Sequence, residues 1–248
     1  MYKGKHIAVV MPAYNAEHTL RKAFEEVVAQ GVADLVVIVD DCSRDGTERV
    51  ARSLSEGRGA GVETAYLRHS ANRGYGGNQK TCYRTALERG ADIVVMVHPD
   101  CQYTPKLLVP MASMIAEGLH PCVIASRILG GYALRGGMPL WKYVNNRWLT
   151  AAMNLLTGAK LSEYHTGYRA FSAELLRKLP LERNTDDFAF DAQMLMEILA
   201  AGGTIGEVSC PTVYTPEASS IGFVRSCRYG AGCLAAALRY RFARGTLR

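Results

Sequence analysis

Residues 92–102, Asp92-Ile-Val-Val-Met-Val-His-Pro-Asp-Cys-Gln102, decide the fold, because an apolar run ends here in a cluster of polar side chains. The run has no polar alternation, which is typical of a strand that is buried on both faces of a parallel sheet. Ligands of open α/β sheets bind beyond the carboxyl ends of such strands. Asp100 and Gln102 lie at that point, and their carboxylate and amide oxygens suit Mg²⁺ or Mn²⁺ better than Zn²⁺. We therefore expect a divalent metal that holds a diphosphate; a strand-end turn with incidental polar residues is the alternative.

A second buried run, residues 35–39, ends in the adjacent carboxylates Asp40 and Asp41. Two neighbouring carboxylates repel each other unless hydrogen-bond donors or positive charge lie beside them. The N–H groups of a nucleobase or the hydroxyls of a ribose would supply such donors. The alternative is that both side chains only stabilise the turn that follows.

A third apolar run, residues 6–11, is followed by Pro12 and Tyr14, so three strand ends deliver polar groups to one expected edge of a sheet. A glycine-rich stretch, residues 72–80, lies between the clusters at Asp41 and Asp100 in the sequence and opens a helix. Glycine allows close approach of the backbone, and a helix N-terminus offers N–H groups to anions. Between acidic strand ends, this loop favours nucleotide binding.

Strands and helices alternate along the chain, which predicts an α/β fold in a single domain, with a mostly parallel sheet and helices on both faces. The 248 residues are 48% hydrophobic and 21% charged, values that are typical of a globular protein. Seven scattered cysteines without metal-finger spacing indicate reduced thiols and a cytoplasmic location. We expect neither a signal peptide nor a spanning helix, because no apolar run approaches the roughly 20 residues that a bilayer requires.

Taken together, these motifs resemble the family 2 glycosyltransferases, which have the GT-A fold and use nucleotide sugars. The likeness covers about residues 6–215 and is most specific in its first half. Within the family, the chain is most similar to the dolichol-phosphate mannosyltransferase-like branch. The motifs that carry the resemblance are Pro12-Ala-Tyr-Asn15, Val39-Asp-Asp-Cys-Ser-Arg-Asp-Gly-Thr47, Asn72-Arg-Gly-Tyr-Gly76, Ala125-Ser-Arg127, His165-Thr-Gly-Tyr-Arg-Ala-Phe171 and Ile205-Gly-Glu-Val-Ser-Cys-Pro211.

For the donor, the resemblance implies that Asp100 is the principal metal ligand and Gln102 an auxiliary one, for Mg²⁺ or Mn²⁺. His98 stands where the family usually has the first Asp of Asp-x-Asp, so it either weakens metal binding or contacts the ribose or diphosphate. The expected nucleotide-binding residues are Pro12, Tyr14, Asp40, Asp41, Asn72, Gly74 and His98.

For the acceptor, the resemblance assigns Arg127 and Arg169 to the phosphates, which arginine binds through paired, charge-assisted hydrogen bonds. Surface ion pairs are the alternative for both. Asp191 matches the place of an acid that faces the acceptor, and it is the expected base if that acceptor is a hydroxyl. Residues 214–220, with Glu217, replace a basic phosphate cradle of the branch, which weakens the case for a lipid phosphate; Arg127, Arg135 and Arg169 remain.

The favoured function is a metal-assisted, inverting transfer of a hexose from a nucleotide sugar, of the GDP-mannose or UDP-glucose type, to a polyprenyl phosphate. One alternative is transfer to a hydroxyl of a glycan or small molecule, with Asp191 as base. Another is an inactive partner protein that binds a nucleotide sugar, suggested by His98. A nucleotidyltransferase is disfavoured, because no glycine-rich, basic loop follows the first strand.

We divide the chain into a catalytic domain, residues 1–220, and a basic amphipathic C-terminal segment, residues 221–248. Much of the net charge of +6 falls in this segment, whose arginines alternate with apolar residues. Such a helix either lies on an anionic membrane at its cytoplasmic face or packs on the domain. Nucleic-acid binding is not expected, since no recognition motif accompanies the charge. The arginines are Arg225, Arg228, Arg239, Arg241, Arg244 and Arg248.

Overall fold

A computed structural model describes residues 1–57, 61–214 and 223–245 of the chain, with side chains from 226 to 242 in the last range. Strands and helices alternate through the first half, as the sequence predicted. The strands are β1 (Ile7–Ala13), β2 (Leu35–Asp40), β3 (Glu63–Arg68), β4 (Ile93–Met96), β5 (Cys122–Ser126), β6 (Arg169–Ser172) and β7 (Ile205–Ser209). The helices are α1 (Leu20–Val28), α2 (Thr47–Glu56), α3 (Gly74–Glu88), α4 (Leu108–Ala116), α5 (Tyr132–Arg135), α6 (Leu140–Thr157), α7 (Ala173–Lys178), α8 (Phe190–Ala200) and α9 (Phe223–Gly245).

The strands form one sheet in the order β3-β2-β1-β4-β6-β5-β7. All pairs are parallel except those of β6, which runs antiparallel to both β4 and β5. Two hydrophobic clusters cover the two faces of the sheet. Phe24 and Met111 lie in one, and Tyr83 and Phe190 lie in the other. The predicted α/β architecture, with a mostly parallel sheet and helices on both faces, is confirmed.

The register of the sheet brings the predicted polar clusters together. Ala13 at the end of β1 pairs with Asp40 at the end of β2, and Val10 pairs with Met96 at the end of β4. Because β6 is antiparallel, its first residue, Arg169, also pairs with Met96. One edge of the sheet therefore carries the carboxyl ends of β1, β2 and β4 and the amino end of β6.

Helix α9 packs against α6 and α8, with Cys233, Ala237 and Tyr240 buried in the same core cluster as Met153 of α6. This is the packed-helix alternative of the sequence analysis for the part of the segment that is described. The predicted boundary at 220/221, Glu217, Arg248 and the side chains of Arg225 and Arg244 lie outside the described residues. Among the helices that the structure describes, none is both long and apolar enough to cross a bilayer.

Candidate functional site

Two adjoining cavities open at the shared edge of the sheet. The first has a volume of about 690 Å³ and the second about 370 Å³, sizes at which small-molecule ligands bind. Both cavities are lined by the same five residues, which thus form the wall between them. The wall residues are Tyr75, His98, Asp100, Phe188 and Tyr229.

The first cavity contains most of the residues that the sequence assigned to the nucleotide. Its lining includes Pro12, Tyr14, Asp41, Asn72, Gly74 and His98. Asp40 is absent from the described lining of either cavity, and its side chain is fully buried. Asp40 Oδ1 accepts a hydrogen bond from Ser43 N at 2.9 Å, and Oδ2 lies 3.3 Å from Arg68 Nε. Asp40 therefore stabilises the turn after β2 from beneath, which corrects its assignment to the wall of the nucleotide pocket.

Asp41 receives its hydrogen bonds from the chain itself. Its carboxylate accepts from Arg73 N at 2.8 Å and from Gly74 N at 3.0 Å. The ring of His69 adds a third contact, with Nδ1 2.7 Å from Asp41 Oδ1. Asp41 thus fixes the glycine-rich loop beside the first cavity, and the donors that the sequence analysis sought in a ligand come mainly from this loop.

The glycines of this loop allow close packing. Gly74 has a φ of +83°, and a Cβ added there would lie 2.6 Å from the carbonyl oxygen of Asp186. Gly76 N donates to that oxygen at 2.8 Å, and a Cβ on Gly76 would lie 2.5 Å from Thr185 O. The first N–H groups of α3 are thus partly used within the chain. From the sequence we expected these groups to bind an anion; instead, Arg73 N and Gly74 N donate to Asp41, and Gly76 N donates to Asp186 O.

Left-handed backbone recurs at this edge. Asn15, Cys42 and Cys101 have φ values of 50°, 59° and 55° although none is glycine. Each follows the carboxyl end of a strand, β1, β2 or β4. Such conformations cost about 1–3 kcal/mol and persist where the surroundings enforce them, often at ligand sites. Cys101 separates Asp100 from Gln102, so the turn that aims both side chains is one of these strained positions.

Tyr75 connects three elements within the wall between the cavities. Its hydroxyl donates to Asp191 Oδ2 at 2.7 Å and lies 3.1 Å from His98 Nε2. Its ring stacks between Phe188 and His98, with centroids 4.8 and 5.5 Å away. Burial, together with the charge of Asp191, raises the pKa of Tyr75 well above its usual value. The phenol is therefore protonated at neutral pH, and because its proton goes to Asp191, the Tyr75 oxygen accepts in its contact with His98 Nε2.

Asp100 lines both cavities, and Gln102 lines the second. Asp100 Oδ1 accepts from Gln102 N at 3.0 Å, which sets the orientation of the carboxylate. The described residues contain no group of three or more His, Cys, Asp and Glu side chains arranged to hold a metal. Mg²⁺ commonly binds through one or two carboxylates together with phosphate oxygens of the substrate. The donor set at Asp100 fits a metal whose remaining ligands come from a diphosphate.

Arg127 lines the second cavity in a buried ion pair with Glu163. Its Nε donates to Glu163 Oε1 at 2.9 Å, Nη2 also contacts that oxygen, and its backbone N donates to Glu163 Oε2 at 3.0 Å. Burial opposes ionisation of Glu163, but the charge of Arg127 and the hydrogen bonds from Arg127 and Asn146 together outweigh burial and lower the pKa of this carboxyl. Arg127 also donates hydrogen bonds from Nη2 to His165 O and from Nη1 to Tyr214 Oη. The guanidinium is thus held in place at the cavity, and most of its N–H groups already donate to partners within the chain.

Lys142 adds a second cation to this cavity. Partial burial and the nearby charge of Arg127 lower the pKa of Lys142. The two cations repel each other, and an anionic group bound between them would relieve that repulsion.

Arg169 has a different position from the one predicted. Its side chain is fully buried and is not among the described lining residues of either cavity. Nε donates to Thr166 O at 2.7 Å, Nη1 to Asp191 O at 2.6 Å and Nη2 to Tyr164 O at 2.9 Å. These carbonyls occupy the guanidinium, so Arg169 is a positioning residue behind Asp191 and not a contact for phosphate.

Asp191 lines the second cavity near the start of α8, as expected for an acid that faces the acceptor. Besides Tyr75, its carboxylate accepts from Gln79 Nε2 at 3.1 Å, and Oδ2 lies 3.8 Å from Arg169 Nη2. Four residues in or next to the second cavity were not predicted from the sequence. Tyr75 lay within a motif that was interpreted through its glycines, and Trp141 and Lys142 lay outside the motifs. Glu163 preceded the His165 motif with no distinguishing pattern.

Comparisons with known proteins agree with this geometry. The family model described as Glycosyl transferase family 2 matches residues 8–180. A UDP-N-acetylglucosamine–dolichyl-phosphate N-acetylglucosaminyltransferase of Methanococcus voltae is 28% identical over 220 residues, covering 85% of this chain and 87% of that protein. An undecaprenyl-phosphate mannosyltransferase of Micrococcus luteus is 26% identical over 208 residues, covering 82% and 81%.

A solved structure extends the comparison to the fold. Glucosyl-3-phosphoglycerate synthase of Mycobacterium tuberculosis, in complex with Mn²⁺, UDP and glucosyl-3-phosphoglycerate, superimposes with a TM-score of 0.65 at 20% identity. The match covers 96% of this chain and 80% of that one. Such neighbours have the GT-A fold, and the predicted fold class is confirmed.

Proposed function

Because this chain belongs to glycosyl transferase family 2, we propose that it transfers a hexose from a nucleotide sugar to a polyprenyl phosphate, with inversion at the anomeric carbon. The observation that carries the proposal is the position of Asp100, on the wall shared by two cavities of unequal size. Each substrate would occupy one cavity, and the two would meet at Asp100. Relatives named for dolichyl-phosphate and undecaprenyl-phosphate acceptors support this acceptor class.

The first cavity suits the nucleotide. Its larger volume accommodates a nucleoside diphosphate, and the half-exposed ring of Tyr14 offers a surface on which a base can stack. The loop held by Asp41 presents Asn72 and Gly74 to the same space. Because this loop is fixed by internal hydrogen bonds, little of the binding energy is lost in ordering it.

The diphosphate would lie beside Asp100. A divalent ion would be held there by Asp100, with Gln102 as an auxiliary ligand, and when bound it would neutralise charge on the departing diphosphate. Metal-containing complexes of a protein with the same fold support this assignment. His98 is tied to Tyr75, so its hydrogen-bonding Nε2 is directed away from a ligand role and toward the wall.

The second cavity suits the acceptor phosphate. Arg127 and Lys142 provide positive charge there, and Glu163 keeps Arg127 in place. A phosphate monoester is an anionic nucleophile and needs no base to attack the anomeric carbon. Attack from the side opposite the diphosphate gives inversion, with the nucleotide diphosphate leaving into the first cavity.

Transfer to a hydroxyl is the second candidate, since Asp191 lines the acceptor cavity. A hydroxyl acceptor needs a general base to remove its proton, and the carboxylate of Asp191 would be that base. Its oxygens already accept hydrogen bonds from Tyr75 and Gln79, so part of their acceptor capacity is used within the chain. This feature favours the phosphate acceptor.

The test combines a donor panel with both acceptor classes. The purified chain is incubated with UDP-N-acetylglucosamine, UDP-glucose or GDP-mannose, a short-chain polyprenyl phosphate in detergent or a sugar alcohol, and Mn²⁺, Mg²⁺ or EDTA. We expect transfer of one hexose to the phosphate, a β-linked product by NMR, and loss of transfer in EDTA and in Asp100→Asn. Glu88→Gln, an exposed carboxyl at the far end of α3, is the matched control.

Asp191→Asn separates the two acceptors. If phosphate is the acceptor, this variant retains most of its turnover; if a hydroxyl is the acceptor, turnover is lost. Transfer only to the alcohol, or an α-linked product, would contradict the proposed reaction.

A further inference from the structure

Helix α6 buries polar residues and exposes a row of large apolar ones. Its buried side carries Asn146, Thr150 and Thr157 beside the core residues Leu149 and Met153. The side that faces solvent carries Leu140, Val144, Trp148 and Leu155, at spacings of four, four and seven residues that align them on one face. Trp148 is 63% exposed and Leu155 is 81% exposed.

The buried polar side is explained by the second cavity. Asn146 Nδ2 donates to Glu163 Oε1 at 2.9 Å, and Thr150 Oγ1 donates to Asn146 Oδ1 at 3.4 Å. These groups help to satisfy the carboxylate that holds Arg127. The exposed apolar side has no such internal purpose, and contiguous exposed apolar surface usually marks a site of interaction. We call this surface, made of Leu140, Trp141, Val144, Trp148 and Leu155, the outer face of α6.

The charge around the outer face has one sign. Residues 118–162 contain three arginines and two lysines and no aspartate or glutamate. Arg127 is buried and paired with Glu163, which leaves Arg135, Lys142, Arg147 and Lys160 as exposed or half-buried cations. Helix α9 adds to this charge where α6 ends, because Arg241 Nη1 donates to Leu156 O at 3.5 Å and Arg239 is exposed. Phe242, 70% exposed, is the neighbour of Arg241 in sequence. Apolar and aromatic side chains among cations are typical of surfaces that lie in an anionic lipid interface.

The outer face also adjoins the proposed acceptor site. Trp141 belongs to both, since it lies on the outer face and lines the second cavity together with Lys142. Tryptophan favours the level of the lipid headgroups, where its ring is partly apolar and its N–H is hydrated. A lipid phosphate at that level would be close to the mouth of the second cavity.

We propose that the outer face of α6, with the end of α9, docks the chain on an anionic lipid surface and brings the mouth of the second cavity to the headgroup level. The acceptor aspect of this inference rests on the proposed function, whereas the docking itself does not. A second copy of the chain is a poorer occupant, because a symmetric contact through this face would set the cations of residues 118–162 against each other.

The chain provides its own probe of docking, since Trp141 and Trp148 are its two tryptophans. Intrinsic tryptophan fluorescence therefore reports on the outer face and, through Trp141, on the adjoining second cavity. The full chain is titrated with phosphatidylcholine vesicles, with and without phosphatidylglycerol, at low and high salt. We expect a blue shift and quenching by bromine-labelled lipid with the anionic vesicles only, and co-sedimentation that weakens as salt rises.

Val144→Gln/Leu155→Gln removes apolar area from the outer face and keeps both tryptophans. We expect this variant to bind anionic vesicles at least about tenfold more weakly, since each buried aliphatic side chain contributes on the order of tenfold. Leu119→Gln is the matched control, an equally exposed leucine just before the amino end of β5, and it should bind as the wild type does.

Solution transfer to a water-soluble acceptor distinguishes this inference from the proposed function. Retained transfer with lost vesicle binding in the double variant supports docking. Vesicle binding in a chain that transfers no sugar would also support docking while refuting the reaction. An unshifted emission spectrum with every vesicle overturns the proposal, as does a dimer in sedimentation velocity that only the double variant abolishes, which would make the outer face a contact between copies.

Discussion

Replacement of Arg169 by methionine should destabilise the fold. Three carbonyl oxygens, those of Tyr164, Thr166 and Asp191, would lose their donor inside the protein. Each buried acceptor left unpaired costs about 1–3 kcal/mol. Partial relaxation and entry of water reduce the sum, and breaking one side of a buried charged contact typically costs about 3–5 kcal/mol. We expect a loss of that size in the free energy of unfolding for Arg169→Met.

Urea denaturation followed by circular dichroism measures this loss. Arg169→Lys retains the charge but has a shorter, single ammonium group in place of the planar fork, so we expect an intermediate loss. Arg135→Met, at an exposed arginine of α5, is the control and should stay within about 0.5 kcal/mol of the wild type. A natural domain has about 5–15 kcal/mol in total, so all three variants should fold.

Stability and turnover together decide between two roles for Arg169. If it positions Asp191 and the loop before β6, the loss of turnover should follow the loss of stability across the two variants. An Arg169→Lys variant with the urea midpoint of the wild type and no turnover would refute this reasoning. It would restore the sequence-based prediction that Arg169 contacts a phosphate.

Three further outcomes are expected. Burial lowers the pKa of His165 from 6.5 to about 4, so the unfolded chain binds a proton at this residue before the folded chain does as pH falls. The contribution of neutral His165 to the free energy of unfolding should be fully present above pH 6.5 and should be lost toward pH 4. His165→Asn should therefore flatten the decline of the urea midpoint with falling pH. An equal slope in that variant contradicts the burial argument. Tyr75→Phe removes the donor to Asp191 but keeps the stacked ring, so stability should fall by about 1 kcal/mol, and turnover with a phosphate acceptor should be largely retained because that acceptor needs no base; a loss of turnover as large as that of Asp100→Asn would contradict this expectation. Gly74→Ala should weaken nucleotide binding in calorimetry, since its Cβ meets Asp186 O, whereas Gly90→Ala has the same sign of φ with open space around it and should only lose stability; equal binding by both would show that the close contact is irrelevant.

The fold was predictable because strands that are buried on both faces appear in the sequence as uninterrupted apolar runs. Residues 35–39 and 92–97 have no polar alternation, and both became central strands beside β1. Polar residues at the ends of such strands must meet at one edge of a parallel sheet, which is why most of the nucleotide residues were found together. The antiparallel direction of β6 has no comparable signature, since a four-residue strand that begins with a buried arginine does not resemble a core strand.

The roles of individual charges were harder to predict, because they depend on partners that are distant in sequence. Asp40 and Asp41 are adjacent in sequence, yet the side chain of Asp40 is fully buried whereas Asp41 lines the first cavity. Arg127 and Arg169 look alike in their motifs, but Glu163 keeps the first at a cavity and backbone carbonyls bury the second. Periodicity and motif spacing do not record such pairings, which arise only when the loops fold against each other.

Because β6 runs antiparallel to β4, the two cavities are lined mainly by different parts of the chain. Most residues of the proposed nucleotide side come before Asp100 and are joined by residues 185–188 and 228–229. Arg127, Lys142 and His165 of the proposed acceptor side follow Asp100 and reach the same edge because β6 begins where β4 ends. Substitutions, insertions or recombination between residues 127 and 168 can therefore remodel the acceptor side while the nucleotide side keeps its own strands and hydrogen bonds. An architecture of this kind allows one donor specificity to be inherited unchanged by descendants that modify different acceptors.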